Sequence, residues 1–257
     1  MRGVLIDIDG VLTVSWRPLP GAVDALAWLR RAGYPLKLVT NTTSRSRRWI
    51  ADTLVDAGFD VSIDDVVTAP VATAAYVAEH FPGARCLVLN SGDISEDLAG
   101  FDVVTDGAPD VVLVGGAGPE FSYDALNTAF EHVRRGARLV AMQRNLFWRT
   151  DAGLQLDTGA FLAGLEQAAR VEADVVGKPA PSFFASALRL IDVAAEDAMM
   201  VGDDIESDVL AAQRAGLTGV LVKTGKYLPE THARADGTPD HVIDSFADLP
   251  DLLGSMR

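Results

Sequence analysis

An open α/β fold, a doubly wound parallel sheet interrupted by a second, smaller α/β unit, is what this 257-residue sequence predicts. Three observations lead there. Short apolar runs of β-formers alternate with helical stretches that stop at glycine, the pattern of strand–helix–strand crossovers. This pattern occupies the beginning and the last third of the chain, while the middle is richer in Gly and Asp between its elements. Acidic, amide or lysine residues also stand directly after several apolar runs. Those are the strand ends where open α/β sheets hold ligands.

Val4 to Ile8 is an apolar run broken only by Asp7, and it reads as a buried strand. After a loop with Pro18 and Pro20, residues 21–32 place Val23, Leu26 and Leu29 at helical spacing, and Gly33 stops the helix. Pro35 to Thr40 is a second strand that enters the polar loop Asn41-Thr42-Thr43-Ser44. Residues 45–57 form a helix with Ile50 and Leu54 inward and Gly58 at its end. In the middle, Cys86–Asn90, Val103-Val104, Val111–Gly115 and Arg138–Gln143 read as strands, and residues 123–135 as a helix.

The last third returns to the first pattern, with the strand Asp174–Gly177, the helix 182–191 and the strand Ala198–Val201. A helix over 205–215 ends at Gly216 and leads to the strand Gly219–Lys223. His241–Ile243 and a short amphipathic helix around Phe246–Leu253 close the chain. The expected division is a main unit of residues 1–80 and 173–257 with an insert of residues 81–172.

Composition narrows the function classes. Apolar residues make up 49% and charged residues 23%, which supports a packed core rather than disorder. The net charge of −14 makes nucleic acid and anionic lipid poor partners. An anionic substrate would then need a local cation, and a bound divalent metal would provide one. Cys86 is the single cysteine, so neither an intrachain disulfide nor a cysteine metal site is expected. The first charge after Arg2 comes at Asp7, too soon for a signal peptide, and no apolar run approaches a membrane span. A cytoplasmic protein is expected.

Four short segments carry chemistry. Asp7-Ile8-Asp9-Gly10 places two carboxylates on one side of an extended chain, although D-x-D pairs also occur in solvated turns. Thr40-Asn41 ends a strand with a hydroxyl and an amide that can bind phosphate oxygens or simply start a turn. Val176-Gly177-Lys178-Pro179 sets one of only four lysines after an apolar strand, where it could equally snorkel to the surface. Gly202-Asp203-Asp204, followed by Asp208 near a helix start, gathers acids without a nearby Lys or Arg. Such a cluster is costly unless a cation neutralises it, and hard oxygen donors suit Mg²⁺.

In this order, D-x-D-G-x-[VL], T-N, G-K-P and G-D-D-x-x-x-D resemble the haloacid dehalogenase superfamily of phosphohydrolases, over essentially the whole chain. The long insert resembles that superfamily's C2 type of cap (type IIA) on a Rossmann-like core. Val39–Thr43, Val176–Pro179 and Leu221–Tyr227 are similar to the branch that includes the phospholysine phosphohistidine inorganic pyrophosphate phosphatases.

The resemblance implies Asp7 as nucleophile and Asp9 as general acid and base. It implies Mg²⁺ on the Asp7 carboxylate, the Asp9 carbonyl and Asp203. Thr40, Asn41 and Lys178 would bind the phosphoryl group, with Asp204 and Asp208 orienting metal-bound water or Lys178. An acid at position 9 fits a phosphatase and argues against dehalogenation. Arg144, Phe147, Trp148, Arg149 and Asp157 are the cap candidates for choosing a small phosphorylated metabolite. A homodimer is the expected assembly, since two-fold dimers are the commonest oligomers. Two alternatives keep the site: phosphoryl transfer to an acceptor other than water, and a non-catalytic phosphate-binding regulator. A receiver domain also uses acids, Thr and Lys, but it is about half this length.

Overall fold

The strand Gly3–Asp7 is buried at every residue, because it lies inside a sheet covered on both faces. Its even positions, Val4 and Ile6, join one apolar cluster with Met199, Val201, Val220 and Val222. In this computed structural model the backbone is described for residues 1–150 and 153–256, and the side chains for those residues outside 148–154. The chain divides into two units: Met1–Thr40, Arg48–Val67 and Lys178–Arg257 form the first, and Asn41–Arg47 with Thr68–Gly177 form the second.

The first unit holds a six-stranded sheet. Its order is His241–Ile243, Thr218–Val222, Ala198–Gly202, Gly3–Asp7, Leu36–Thr40, Val66–Thr68. Numbered along the chain this is the doubly wound order 3-2-1-4-5-6, read from the far edge. Gly3–Ile6 pair in parallel with Ala198–Val201, and Val4–Asp7 with Leu36–Val39. Helix Ala22–Arg31 turns Ala22, Ala25, Leu26 and Leu29 inward, as its spacing predicts. Two residue pairs not foreseen as strands, Thr13–Val14 and Arg17–Pro18, form a small hairpin directly after Asp9.

The second unit is itself an open α/β layer. Its five strands are parallel, in the order Asp174–Val175, Arg138–Ala141, Val111–Val114, Arg85–Leu89, Asp102–Val103. Val112 and Val114 face a cluster with helices Tyr123–Arg134 and Thr158–Ala169. Val111 and Leu113 face another that contains Ala69 and Val77 of helix Ala69–His80.

Four features differ from the sequence reading. Strand Val66–Thr68 and helix Ala69–His80 were unassigned, because Ala-rich APVATAAYVAEH offers little apolar contrast for periodicity to detect. Asp174–Val175 pairs with Val140–Ala141 and so belongs to the second sheet, not to the returning first pattern. The segment around Phe147–Leu156 is an antiparallel hairpin, Phe147–Thr150 with Gly153–Leu156. The loop expected at Asp157–Gly159 is the N-cap and first turn of helix Thr158–Ala169.

Candidate active site

In the first sheet the strand order reverses between Gly3–Asp7 and Ala198–Gly202. Ligands of open α/β sheets bind at such a switch point, beyond the carboxyl ends of the strands. Asp7 ends one of these strands and Asp203 directly follows the other. Asp7, Lys178, Asp203 and Asp208 are all buried, between 2% and 6% exposed. Burying four charges is costly, so each needs a partner.

Lys178 supplies the first partners. Its Nζ donates to Asp7 Oδ1 at 2.6 Å and lies 2.7 Å from Asp208 Oδ1. Asp208 can come this close because residue 202 is glycine: a Cβ there would collide with the Asp208 side chain. Asp208 Oδ2 also accepts from the Asp204 amide at 3.2 Å. Asp204 is the N-cap of the helix that starts at Ile205, accepting from the Glu206 and Ser207 amides. Thr40 is buried at the end of its strand, next to Val39, the register partner of Asp7.

Asp203 is held from the other side by a loop that the sequence reading left without a role. Its Oδ2 accepts from the Lys226 backbone amide at 2.7 Å. Gly10 (φ +93) and Gly225 (φ +60) close on the same carboxylate, and a Cβ at either would land on it. Thr224 Oγ1 donates to the Gly10 carbonyl at 2.5 Å and ties the two loops together. The available signal was Thr224-Gly225-Lys226 just after a buried strand, the same strand-end placement that pointed to the other segments.

Burial sets the electrostatics. It pushes the Asp208 carboxyl up to about 6 against the pull of Lys178. It raises Asp203 well above the usual carboxylate range, helped by repulsion from Asp7 and Asp208. Asp7 is raised by burial more than Lys178 lowers it. Asp9 is solvent-accessible, yet desolvation by its surroundings raises its carboxyl against the pull of Lys226 and Lys178. For Lys178 burial works downward, but Asp208 and Asp7 outweigh it and hold the ammonium above its ordinary value.

This donor set fits a hard divalent cation. Carboxylate oxygens of Asp7, Asp203 and Asp208 lie within 4.8 Å of one another. Asp203 Oδ1 is buried without a hydrogen-bond partner, a cost that a cation would remove. Asp208 is the least available of the three, because Lys178 and the Asp204 amide already engage it.

The other candidates lie in the second unit. Asn41 packs on the Gly177 backbone, where a Cβ would meet its side-chain oxygen. Its segment is stitched in place by Asn90, which donates to the Thr43 carbonyl at 3.0 Å while accepting from the Gly116 amide at 2.7 Å. Arg144 makes a two-pronged ion pair with Glu166 at 2.6 and 3.0 Å. Asp157 caps helix Thr158–Ala169 and accepts from the Thr158 amide. Phe147 is exposed. Trp148 and Arg149 lie in the hairpin strand Phe147–Thr150, and their side chains fall outside the described residues.

A doubly wound sheet with a buried aspartate–lysine pair and an open carboxylate set at its switch point defines a phosphoryl-handling α/β hydrolase. Comparison with known proteins agrees. Residues 4–104 match the haloacid dehalogenase-like hydrolase family, and residues 175–249 match a second, HAD-hydrolase-like family. The human phospholysine phosphohistidine inorganic pyrophosphate phosphatase is 36% identical, covering 98% of this chain and 94% of its own length. The p-nitrophenyl phosphatase of Archaeoglobus fulgidus superposes with a TM-score of 0.92 at 30% identity, covering 98% of each chain. The glycerol phosphate phosphatase of Mycobacterium tuberculosis, solved in complex with magnesium, gives 0.86 at 30% identity, covering 96% of this chain and 76% of its own. This chain belongs to the haloacid dehalogenase-like hydrolases, and within them it is a phosphatase. No helix among the described residues is long and apolar enough to cross a membrane.

Proposed function

We propose that this protein is a Mg²⁺-dependent phosphatase that hydrolyses small phosphomonoesters or related phosphate compounds through an aspartyl-phosphate on Asp7. The observation that carries the reading is the placement of Asp7. It is buried at the switch point, hydrogen-bonded to Lys178, and within 4.8 Å of an Asp203 carboxylate that has an unpartnered oxygen.

In the first step an Asp7 oxygen forms a bond to phosphorus as the bond to the leaving oxygen breaks. Asp9 gives its proton to that leaving oxygen; its raised carboxyl favours holding one. In the second step Asp9 takes a proton from water, the water oxygen bonds to phosphorus, and the Asp7 carboxylate is released with free phosphate. Lys178, braced by Asp208, keeps Asp7 oriented and presents fixed positive charge to the phosphoryl oxygens. Thr40 and the Asn41 amide bind those oxygens. The Asp7 carboxylate, the Asp9 carbonyl and Asp203 would hold Mg²⁺, whose charge would offset the repulsion between two anions.

The second unit is proposed to act as the cap that selects the leaving group. Arg144 and Asp157 already serve the unit's own fold, so the exposed Phe147 is the stronger candidate for touching substrate. The relatives' names suggest the panel to test: 4-nitrophenyl phosphate, glycerol phosphate, inorganic pyrophosphate and phospholysine. Free phosphate release with water as the sole acceptor, dependent on Mg²⁺ and absent in Asp7→Asn, is the expected result. Turnover only when a second acceptor is supplied would instead identify a phosphotransferase.

A further inference from the structure

We propose that Trp16, braced by Trp49, is a positioning residue for Asp9. The inference rests on the acid–base role proposed for Asp9. It starts from the hairpin that follows that residue. Thr13 pairs with Pro18 and Val14 with Arg17, which leaves Ser15 and Trp16 as the tip. Both tip residues are left-handed, with φ +48 and +64. Two-residue hairpin turns of this kind favour Asn-Gly, because a side chain at positive φ is strained. A tryptophan held there needs an external contact to keep it in place.

Trp49 provides that contact. The two rings meet edge to face, with centroids 4.9 Å apart and planes at 84°. Trp49 stands on helix Arg47–Asp56, whose Ile50, Ala51 and Leu54 are anchored in the core, and Trp16 also packs on that core. The tip is therefore set by the tertiary fold and not by its own turn preference.

From the tip to Asp9 the backbone is continuously bonded. Asp9 bridges to Thr13, and the Gly10 amide donates to the Thr13 carbonyl at 2.6 Å. The Thr13 amide in turn donates to the Ile8 carbonyl at 3.0 Å. No group among the described residues hydrogen-bonds the Asp9 carboxylate, so its aim comes from its backbone, which the hairpin holds. A shift of the tip therefore misdirects the proton that Asp9 gives to the leaving oxygen.

The test compares leaving groups. A nitrophenolate leaves with little need of a proton, whereas an alkoxide needs one, and kcat/KM reports the first phosphoryl transfer. Trp16→Gly suits the left-handed backbone and removes the whole side chain, and Trp49→Ala removes the brace while leaving Trp16. Each is expected to lower kcat/KM on glycerol phosphate by about tenfold, a part of the full acid–base contribution, and on 4-nitrophenyl phosphate by less than about threefold. Trp16→Phe, which keeps an aromatic contact, restores most of the loss. Equal losses on both substrates, or no loss, would overturn the proposal. Asp9→Asn, measured alongside, separates the two ideas. If its loss is no greater on glycerol phosphate than on 4-nitrophenyl phosphate, the acid–base reading of Asp9 fails and this inference with it. If its loss is greater on glycerol phosphate and that of the tryptophan variants is not, only the inference fails.

Discussion

Lys178 donates a 2.6 Å hydrogen bond to Asp7, joining two buried residues 171 positions apart in the chain. The same ammonium lies 2.7 Å from Asp208, so one cation holds two carboxylates at the base of the site. Removing one member of a buried ion pair leaves the other charge uncompensated. Lys178→Met should lower the stability of the metal-free protein by about 3–5 kcal/mol, read from the urea midpoint, and abolish turnover. A midpoint within experimental error of the wild type would show that the pair is not structurally important.

Asp7→Asn should abolish turnover with the fold retained. Beryllofluoride, a mimic of the aspartyl-phosphate, should bind the wild type only when Mg²⁺ is present and should not bind this variant. Residual activity above a few per cent of wild type would exclude Asp7 as nucleophile.

Acid–base work and metal binding should separate by residue. Asp9→Asn should lose roughly 10²–10⁴-fold in rate while still binding Mg²⁺, since its proposed metal contact is a backbone carbonyl. Asp203→Asn should lose Mg²⁺ affinity itself. Calorimetric titration of both variants distinguishes them, and equal loss of affinity would contradict the division.

The pH dependence follows from the buried acids. Asp208 has its carboxyl raised to about 6, above the ordinary value of about 4 for an unfolded chain. Its contribution to stability is therefore full below about pH 4 and is lost as pH rises through about 6. Asp203, held well above the ordinary carboxylate range by burial and by its acidic neighbours, acts in the same direction. A cation prefers the ionised forms, so the gain in melting temperature on adding Mg²⁺ should be small at pH 5 and larger at pH 7.5. A gain independent of pH would mean that these carboxylates do not bind the ion.

Gly225→Ala places a methyl group against the Asp203 carboxylate at φ +60. It should weaken Mg²⁺ by about 10–100-fold, the usual cost of disturbing the groups that orient a metal ligand. By contrast Arg144→Ala, at a pair partly open to solvent, should change stability by no more than about 1 kcal/mol. Phe147→Ala should reorder substrates more than it slows 4-nitrophenyl phosphate. The urea midpoint checks the first variant and substrate profiling the second.

Much of the site was legible because parallel strands bring their carboxyl ends to one edge. Asp7, Thr40 and Asp203 each follow or end an apolar run, and all three strands lie side by side in the first sheet. The Asp203-Asp204 pair was harder to divide. Asp204 serves as a helix cap, which depends on where the helix starts, while Asp203 faces the Gly10 and Gly225 loops. The second unit takes in Thr68–Gly177 together with the short segment Asn41–Arg47. Asn41–Arg47 joins the second unit through Asn90 and Thr43, contacts between residues 47 positions apart that no local pattern encodes.

The amino-acid sequence by itself determined the alternation of buried strands and helices, the acids at their ends and the single lysine before Pro179. These follow from local periodicity and from the chemistry of each residue. Only the tertiary structure decided which charges meet. Lys178 sits between Asp7 and Asp208, and the Lys226 amide reaches Asp203, leaving Asp203 Oδ1 without a partner. Trp16, strained at its turn, is steadied by Trp49. Each of these is a long-range contact whose energy depends on distance and burial, and both are set only when the sheet closes around its core.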